Sequence, residues 1–212
     1  MSTPKDGTPP EHSKPKDIEI LDKTTVFQGY FRVDRYRLKH ELFAGGLSKP
    51  VSREVFERGH AVGLLPYDPV RDEVVLIEQF RVGAYAAGGM HPWLLEIVAG
   101  IIEPGESPED VARREALEEA GLTVQSLWPV VRYIASPGGA SETCTVFIGR
   151  VDASGAGGIH GLNSEDEDIR VRALPWAEAA RLLEDGEIVN ALGLVSLQWL
   201  ALHRDEVRAR WR

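Results

Sequence analysis

Gly100–Leu122 reads GIIEPGESPEDVARREALEEAGL, and the order of residue types in this stretch predicts both a helix and a charged face on it. Ser107 is a natural N-cap, because its hydroxyl can accept one of the orphan N–H groups of the first turn. Pro108 stands at the first helical position, where its missing donor costs nothing, and Asp110 falls three residues after the cap. Gly121 ends the helix, since glycine takes the left-handed conformation without strain. The predicted helix is Pro108–Ala120, about three and a half turns at 3.6 residues per turn. Glu115, Glu118 and Glu119 then fall at i, i+3 and i+4 and share one face, with no cation expected among them. Like charges at this spacing cost a helix about 0.2–0.5 kcal/mol per pair. A divalent cation reverses the sign: carboxylate oxygens are hard ligands, and Mg²⁺ or Mn²⁺ binds to a few of them together with water and phosphate oxygens. On the other side Ala112, Ala116 and Ala120 recur every four residues, a row of small side chains that lets the backbone sit close against a neighbour.

The acidity of this stretch colours the whole chain. The 212 residues carry 33 Asp and Glu against 24 Lys and Arg, a net charge of −9. Glu96–Glu119 contains eight acids against two arginines, and Glu165–Asp168 contains four acids and no base. Together they exceed the whole net charge, so the remainder is close to neutral. A polyanion binder needs clustered Lys and Arg, so the balance argues against nucleic acid as a partner. Hydrophobic residues at 43% and charged residues at 27% are globular values. The single cysteine, Cys144, fits a reducing compartment, and the longest apolar stretch, Leu192–Leu202, is too short and too interrupted to span a bilayer. These cues predict a soluble cytoplasmic protein, with residues 1–17 a disordered tail.

Outward from the helix, alternating β-branched and aromatic residues between Lys23 and Glu57 predict antiparallel strands, with Gly45-Gly46 at a turn. His60–Pro66 and Glu73–Phe80 read as a hairpin, Gly83–Pro92 as a loop, and Trp93–Ala99 as one strand entering the helix segment. Val130–Ala135, Thr143–Val151 and Asp168–Leu174 read as strands, separated by Ser136-Pro137-Gly138-Gly139 and by a glycine- and acid-rich loop from Ala153 to Glu167. Pro175–Leu183 and Ala191–His203 read as helices. The chain therefore divides into a β region at 18–59 and an α/β domain at 60–212.

Gly100, Glu106, Arg114, Glu115, Glu118, Glu119 and Gly121 resemble the Nudix box: glycine, five residues, Glu, seven residues, then Arg-Glu, an apolar residue, any residue, Glu-Glu, any residue, glycine and an apolar residue. At roughly 6% per residue type, seven coincidences have a chance on the order of 10⁻⁹ per start position. Ala116 is the soft departure, standing where the family often has a larger aliphatic. The resemblance extends to Trp93–Gly100, Ser136–Gly139, Gly158–Gly161 and Ala201–His203, which look like the bacterial ADP-ribose pyrophosphatases.

That resemblance implies an α/β fold, a Nudix α/β/α sandwich around a mixed sheet with an N-terminal antiparallel β extension serving a homodimer. It implies metal-dependent hydrolysis of ADP-ribose to AMP and ribose 5-phosphate, with ADP-glucose or GDP-mannose as the rival substrates. It implies Glu115 and Glu119 as principal metal ligands, Glu118 and Glu106 near them, the carbonyl of Ala99 as a backbone ligand, and Arg114 as the residue orienting a glutamate. Glu165 is implied as the base and Glu167 as a further ligand. Arg53, Arg58 and Arg81, read as lying on strands that lead to the site, are implied to bind substrate. Glu96 is implied to meet a ribose hydroxyl or the adenine amine, and Phe31 or Tyr30 to stack on adenine. A non-catalytic sensor of ADP-ribose, or an acidic calcium-binding protein, would fit the composition without turnover. Metal-dependent hydrolysis separates both from an enzyme.

Overall fold

A computed structural model of the chain describes residues 17–211. Of the expected tail, 1–17, all but Asp17 lies outside the described residues, as does the final residue, 212. The chain forms two compact units, one from residues up to Gly59 with Ile134–Thr143, the other from His60–Tyr133 with the residues from Cys144 onward.

The first unit is an antiparallel sheet of β1 (Ile18–Gln28), β2 (Arg32–His40) and β3 (Val51–Glu57) in the order β1-β2-β3. Its buried anchor is Asp34, which accepts the Thr25 hydroxyl at 2.8 Å and pairs with Lys23 and Arg32 at 3.1 Å each. Every residue of β1 is exposed, including Ile18, Ile20 and Phe27. The Ser136–Gly139 turn belongs to this unit: Phe56 donates its N–H to Gly139 O at 2.8 Å, and Ser141 donates to Glu57 at 2.5 Å.

In the second unit β4 (Ala61–Asp68) lies at the centre, parallel to β9 (Thr143–Arg150) and antiparallel to β5 (Glu73–Phe80) and β7 (Val98–Ile101). The strand order is β10-β11-β5-β4-β9-β8, where β8 is Ser126–Ile134, β10 Gly158–His160 and β11 Ile169–Pro175, with β6 (Trp93–Glu96) added on β5. β4 reads AVGLLPYD without alternation because both its faces are covered. On one face Val62, Leu64, Val75, Ile77 and Val98 meet Val111, Ala112, Ala116 and Ala120 of α2 (Pro108–Ala120). On the other, Leu65, Tyr67, Val74 and Leu76 meet Ala179 of α3 (Trp176–Glu184) and Leu197, Leu200, Val207 and Trp211 of α4 (Ala191–Trp211). The result is a mixed sheet with helices on both faces. Asp72, in the β4–β5 turn, ties α4 down by accepting Tyr67 Oη at 2.6 Å and Arg204 Nε at 2.8 Å. Among the described residues no helix is long and apolar enough to cross a membrane.

Four local expectations change. The Gly83–Pro92 loop begins with a short helix, α1 (Val82–Ala87), because Ala84, Ala86 and Ala87 favour helix until Gly88 and Gly89, at φ 71° and 73°, stop it. Trp93–Ala99 is two strands, broken at Ile97 where the chain leaves its pairing with β5 for β4. The Ala153–Glu167 loop contains β10 and a 3₁₀ turn at Asn163–Glu165. Finally, α4 runs past His203 to Trp211, since Val207 and Trp211 extend its buried face between charged residues.

Candidate active site

The helix α2 has the termini its sequence dictates. Ser107 accepts the Asp110 N–H at 3.2 Å, and Gly121 adopts φ 65° and ψ 23° while Leu122 N–H closes on Ala116 O at 2.9 Å. Ala112, Ala116 and Ala120 are buried against the sheet, which brings the next face of the helix down beside β7. Glu119 is thereby only 2% exposed, and its Oε2 accepts the Ala99 N–H at 2.9 Å. Glu115 lies over Gly100 so closely that a Cβ on Gly100 would overlap its carboxylate. A side chain at the leading glycine of the motif would therefore displace the Glu115 carboxylate.

The glutamate face is not free of cations, contrary to the expectation from its spacing. Arg114 Nη1 reaches Glu115 Oε1 at 2.7 Å and Glu118 Oε2 at 3.0 Å, while its Nε reaches Glu106 Oε1 at 2.9 Å. A residue one step along the helix does this because the guanidinium is long and forked. Glu106 also accepts the Glu103 N–H at 3.1 Å, and the Arg114 bond, followed by that backbone bond, holds its pKa below the usual carboxyl value.

One guanidinium does not balance the cluster. Burial pushes Glu115 up to about 7 against the pull of Arg114, with Glu118 and Glu167 adding to the rise. Burial pushes Glu119 up to about 8; the Ala99 N–H and Arg81 oppose it, while Glu115 and Glu167 reinforce it. One buried and one half-buried carboxyl, Glu119 and Glu115, short of positive charge, form a donor set suited to a hard divalent cation. Among the described residues no three acidic, imidazole or thiol side chains already converge to hold a metal ion, since Arg114 is the counter-ion the glutamates have gathered around.

Arg81 and Glu96, expected as separate substrate contacts, form an ion pair at 2.7 Å. Arg81 follows directly after β5, and Glu96 on β6 is registered with Ile77, whose face looks toward α2. Gln79 was not anticipated. It is 6% exposed, two residues beyond Ile77 on the same strand, and its Nε2 is buried with no acceptor. A polar residue in register with an apolar face was the available signal.

In the acidic loop, Glu167 Oε2 accepts the Leu162 N–H at 3.1 Å, and its charge is felt by both Glu115 and Glu119. Glu165 ends the 3₁₀ turn with its side chain exposed. The remaining candidates belong to the first unit. Arg53, on β3, donates to Ser52 O at 2.8 Å. Arg58, just past β3 and not on it, pairs with Glu142 at 3.2 Å and lies 5.6 Å over the Phe31 ring. Phe31 is set edge-on to Phe56 and Tyr30, whereas Tyr30 is 88% exposed.

Comparison with known proteins agrees with this geometry. The NUDIX domain model matches residues 57–194. An ADP-ribose pyrophosphatase of Escherichia coli K12 is 54% identical over 195 residues, covering 92% of this chain and 93% of that protein. An ADP-ribose pyrophosphatase of Haemophilus influenzae is 43% identical over 204 residues, covering 95% and 94%. A crystal structure described as an ADP compounds hydrolase superposes with a TM-score of 0.68 at 24% identity, over 94% of this chain and 99% of the other, which speaks for the fold alone. With a family model matched over residues 57–194 and 54% identity to a relative across 92% of its length, the chain belongs to the Nudix family.

Proposed function

We propose that this protein hydrolyses the pyrophosphate bond of ADP-ribose, giving AMP and ribose 5-phosphate, with Mg²⁺ or Mn²⁺ as its metal. The observation that carries the reading is the pair of half-buried Glu115 and buried Glu119, short of positive charge, with Glu119 tied to the Ala99 N–H. The substrate assignment is supported by 54% identity, over nearly the full length, to an ADP-ribose pyrophosphatase.

Glu115, Glu118, Glu119 and the Ala99 carbonyl would hold the cation, with Glu106 and Glu167 next to them. A bound divalent cation supplies charge neutralisation on the phosphoryl oxygens and a more acidic water. Arg114 keeps the glutamates oriented. Glu165 takes the proton of the attacking water as a P–O bond forms and the bridging P–O bond breaks. Arg53, Arg58 and Arg81 donate to the diphosphate, Glu96 meets a ribose hydroxyl or the adenine amine, and Phe31 or Tyr30 stacks on adenine. The exposed apolar residues of β1 suit burial against a second copy, so a homodimer is part of the proposal.

The test is turnover of ADP-ribose, ADP-glucose and GDP-mannose with and without Mg²⁺. The expected result is metal-dependent hydrolysis with the highest kcat/KM for ADP-ribose. Absence of metal-dependent turnover, or a clear preference for another nucleotide sugar, overturns the reading. Glu165→Gln should lower kcat with little change in KM; wild-type turnover in that variant moves the base elsewhere.

A further inference from the structure

His160 stands where the acidic loop meets the helix of glutamates. It is the last residue of β10, paired with Ile169 of β11, so Gly161–Asp168 is the hairpin loop closed by that pair. Its ring lies on the C-terminal glycine of α2: a Cβ on Gly121 would stand 2.7 Å from Cε1 of His160. Its Nε2 donates to the Gly157 carbonyl at 2.9 Å, fixing the ring in that orientation. The next residue, Gly161, donates its N–H to Glu118 O on the same helix at 3.3 Å. Gly161 has φ 104°, and a Cβ there would fall 2.7 Å from the Cβ of Glu167. Glu167 closes the loop on itself, with Leu162 N–H on its carboxylate at 3.1 Å and its own N–H on Leu162 O at 3.3 Å. The other end of the segment is held by buried Asp68, which accepts the Ala153 N–H at 3.0 Å.

We propose that His160 is a positioning residue for catalysis: by seating its ring on Gly121 it fixes the base of the acidic loop to the glutamate helix and so sets the distance from Glu165 and Glu167 to Glu115 and Glu119. The proposal rests on the function proposed above, in which that loop supplies the base and a further ligand. The physical argument is one of leverage. The loop spans eight residues between one strand pair, and the contacts joining its base to α2 include the His160 ring and the Gly161 N–H. A carboxylate displaced by about 1 Å from its working position costs on the order of 100-fold in rate.

His160→Ala is compared with His160→Phe, which retains a planar ring over Gly121. For His160→Ala the expected kcat on ADP-ribose falls about 10- to 100-fold with KM within about threefold. For His160→Phe the expected kcat stays within about threefold of wild type. Amide hydrogen exchange, read without metal or substrate, should quicken at Gly161, Leu162 and Glu167 in His160→Ala while the interior amides of α2 stay protected. A wild-type kcat in His160→Ala, or exchange that quickens equally through α2, overturns the proposal. If wild-type protein does not hydrolyse ADP-ribose, the proposed function fails, while the exchange pattern still decides whether His160 fixes the loop. If His160→Ala cannot be obtained folded, His160→Leu takes its place with the same expected outcomes.

Discussion

The Glu119 carboxylate accepts the backbone N–H of Ala99 at 2.9 Å, stitching the glutamate helix to the strand that leads into it. A charge-bearing side chain is thus buried in the second unit with one backbone donor as its hydrogen-bond partner. Glu119→Gln keeps an oxygen for that donor and removes the charge. The expected outcome is a fall in kcat/KM of at least about 100-fold, with a metal-free Tm above wild type at pH above about 8, where the buried carboxyl of the wild type ionises with little compensation. Thermal melts beside steady-state kinetics check both halves.

Burial raises Glu115 to about 7 and Glu119 to about 8, from an ordinary 4.5. The folded chain therefore holds these protons more tightly than the unfolded chain. Stability from them is whole below about 4.5 and is lost as pH rises through about 7 and about 8. A divalent cation takes the place of the protons. Metal-free protein should lose stability across this window, the Tm gain on adding Mg²⁺ should be larger at high than at low pH, and binding near pH 6–7 should release protons. Calorimetry in buffers of different ionisation enthalpy measures the release.

Gly100 is covered by the Glu115 carboxylate. Gly100→Ala forces that carboxylate off its position without replacing any ionisable group. The expected result is a loss of metal affinity and turnover together, with the interior of α2 still protected in hydrogen exchange. Retention of wild-type Mg²⁺ affinity would mean the glycine is tolerated for another reason.

Gln79 buries an amide donor with no acceptor. Leaving such a group unpaired costs about 1–3 kcal/mol, so Gln79→Leu is expected to raise Tm in the metal- and substrate-free protein. A Tm at or below wild type would mean that the donor is satisfied in solution.

The local motifs were legible in the sequence because they obey short-range rules. Ser107, Pro108 and Gly121 mark the ends of α2 by cap chemistry alone, the alanine row marks its buried face, and the seven box positions identify the family. Elements held by partners distant in sequence were less legible. Trp93–Ala99 looks continuous, yet it changes neighbours at Ile97 because β6 pairs with β5 and β7 with β4. β10 is three residues that form a strand only through pairing with β11.

At the site, the sequence by itself determined which carboxylates share a helix face, and the box match placed Gly100 ahead of them. Tertiary structure decided their chemistry. Packing of the alanine row against the sheet buries Glu119 and raises its pKa, and the reach of Arg114 converts an apparently uncompensated face into a partly neutralised one. It also set His160 on Gly121, across 38 intervening residues. Spacing along a helix fixes direction, whereas burial and charge balance depend on everything the fold brings alongside.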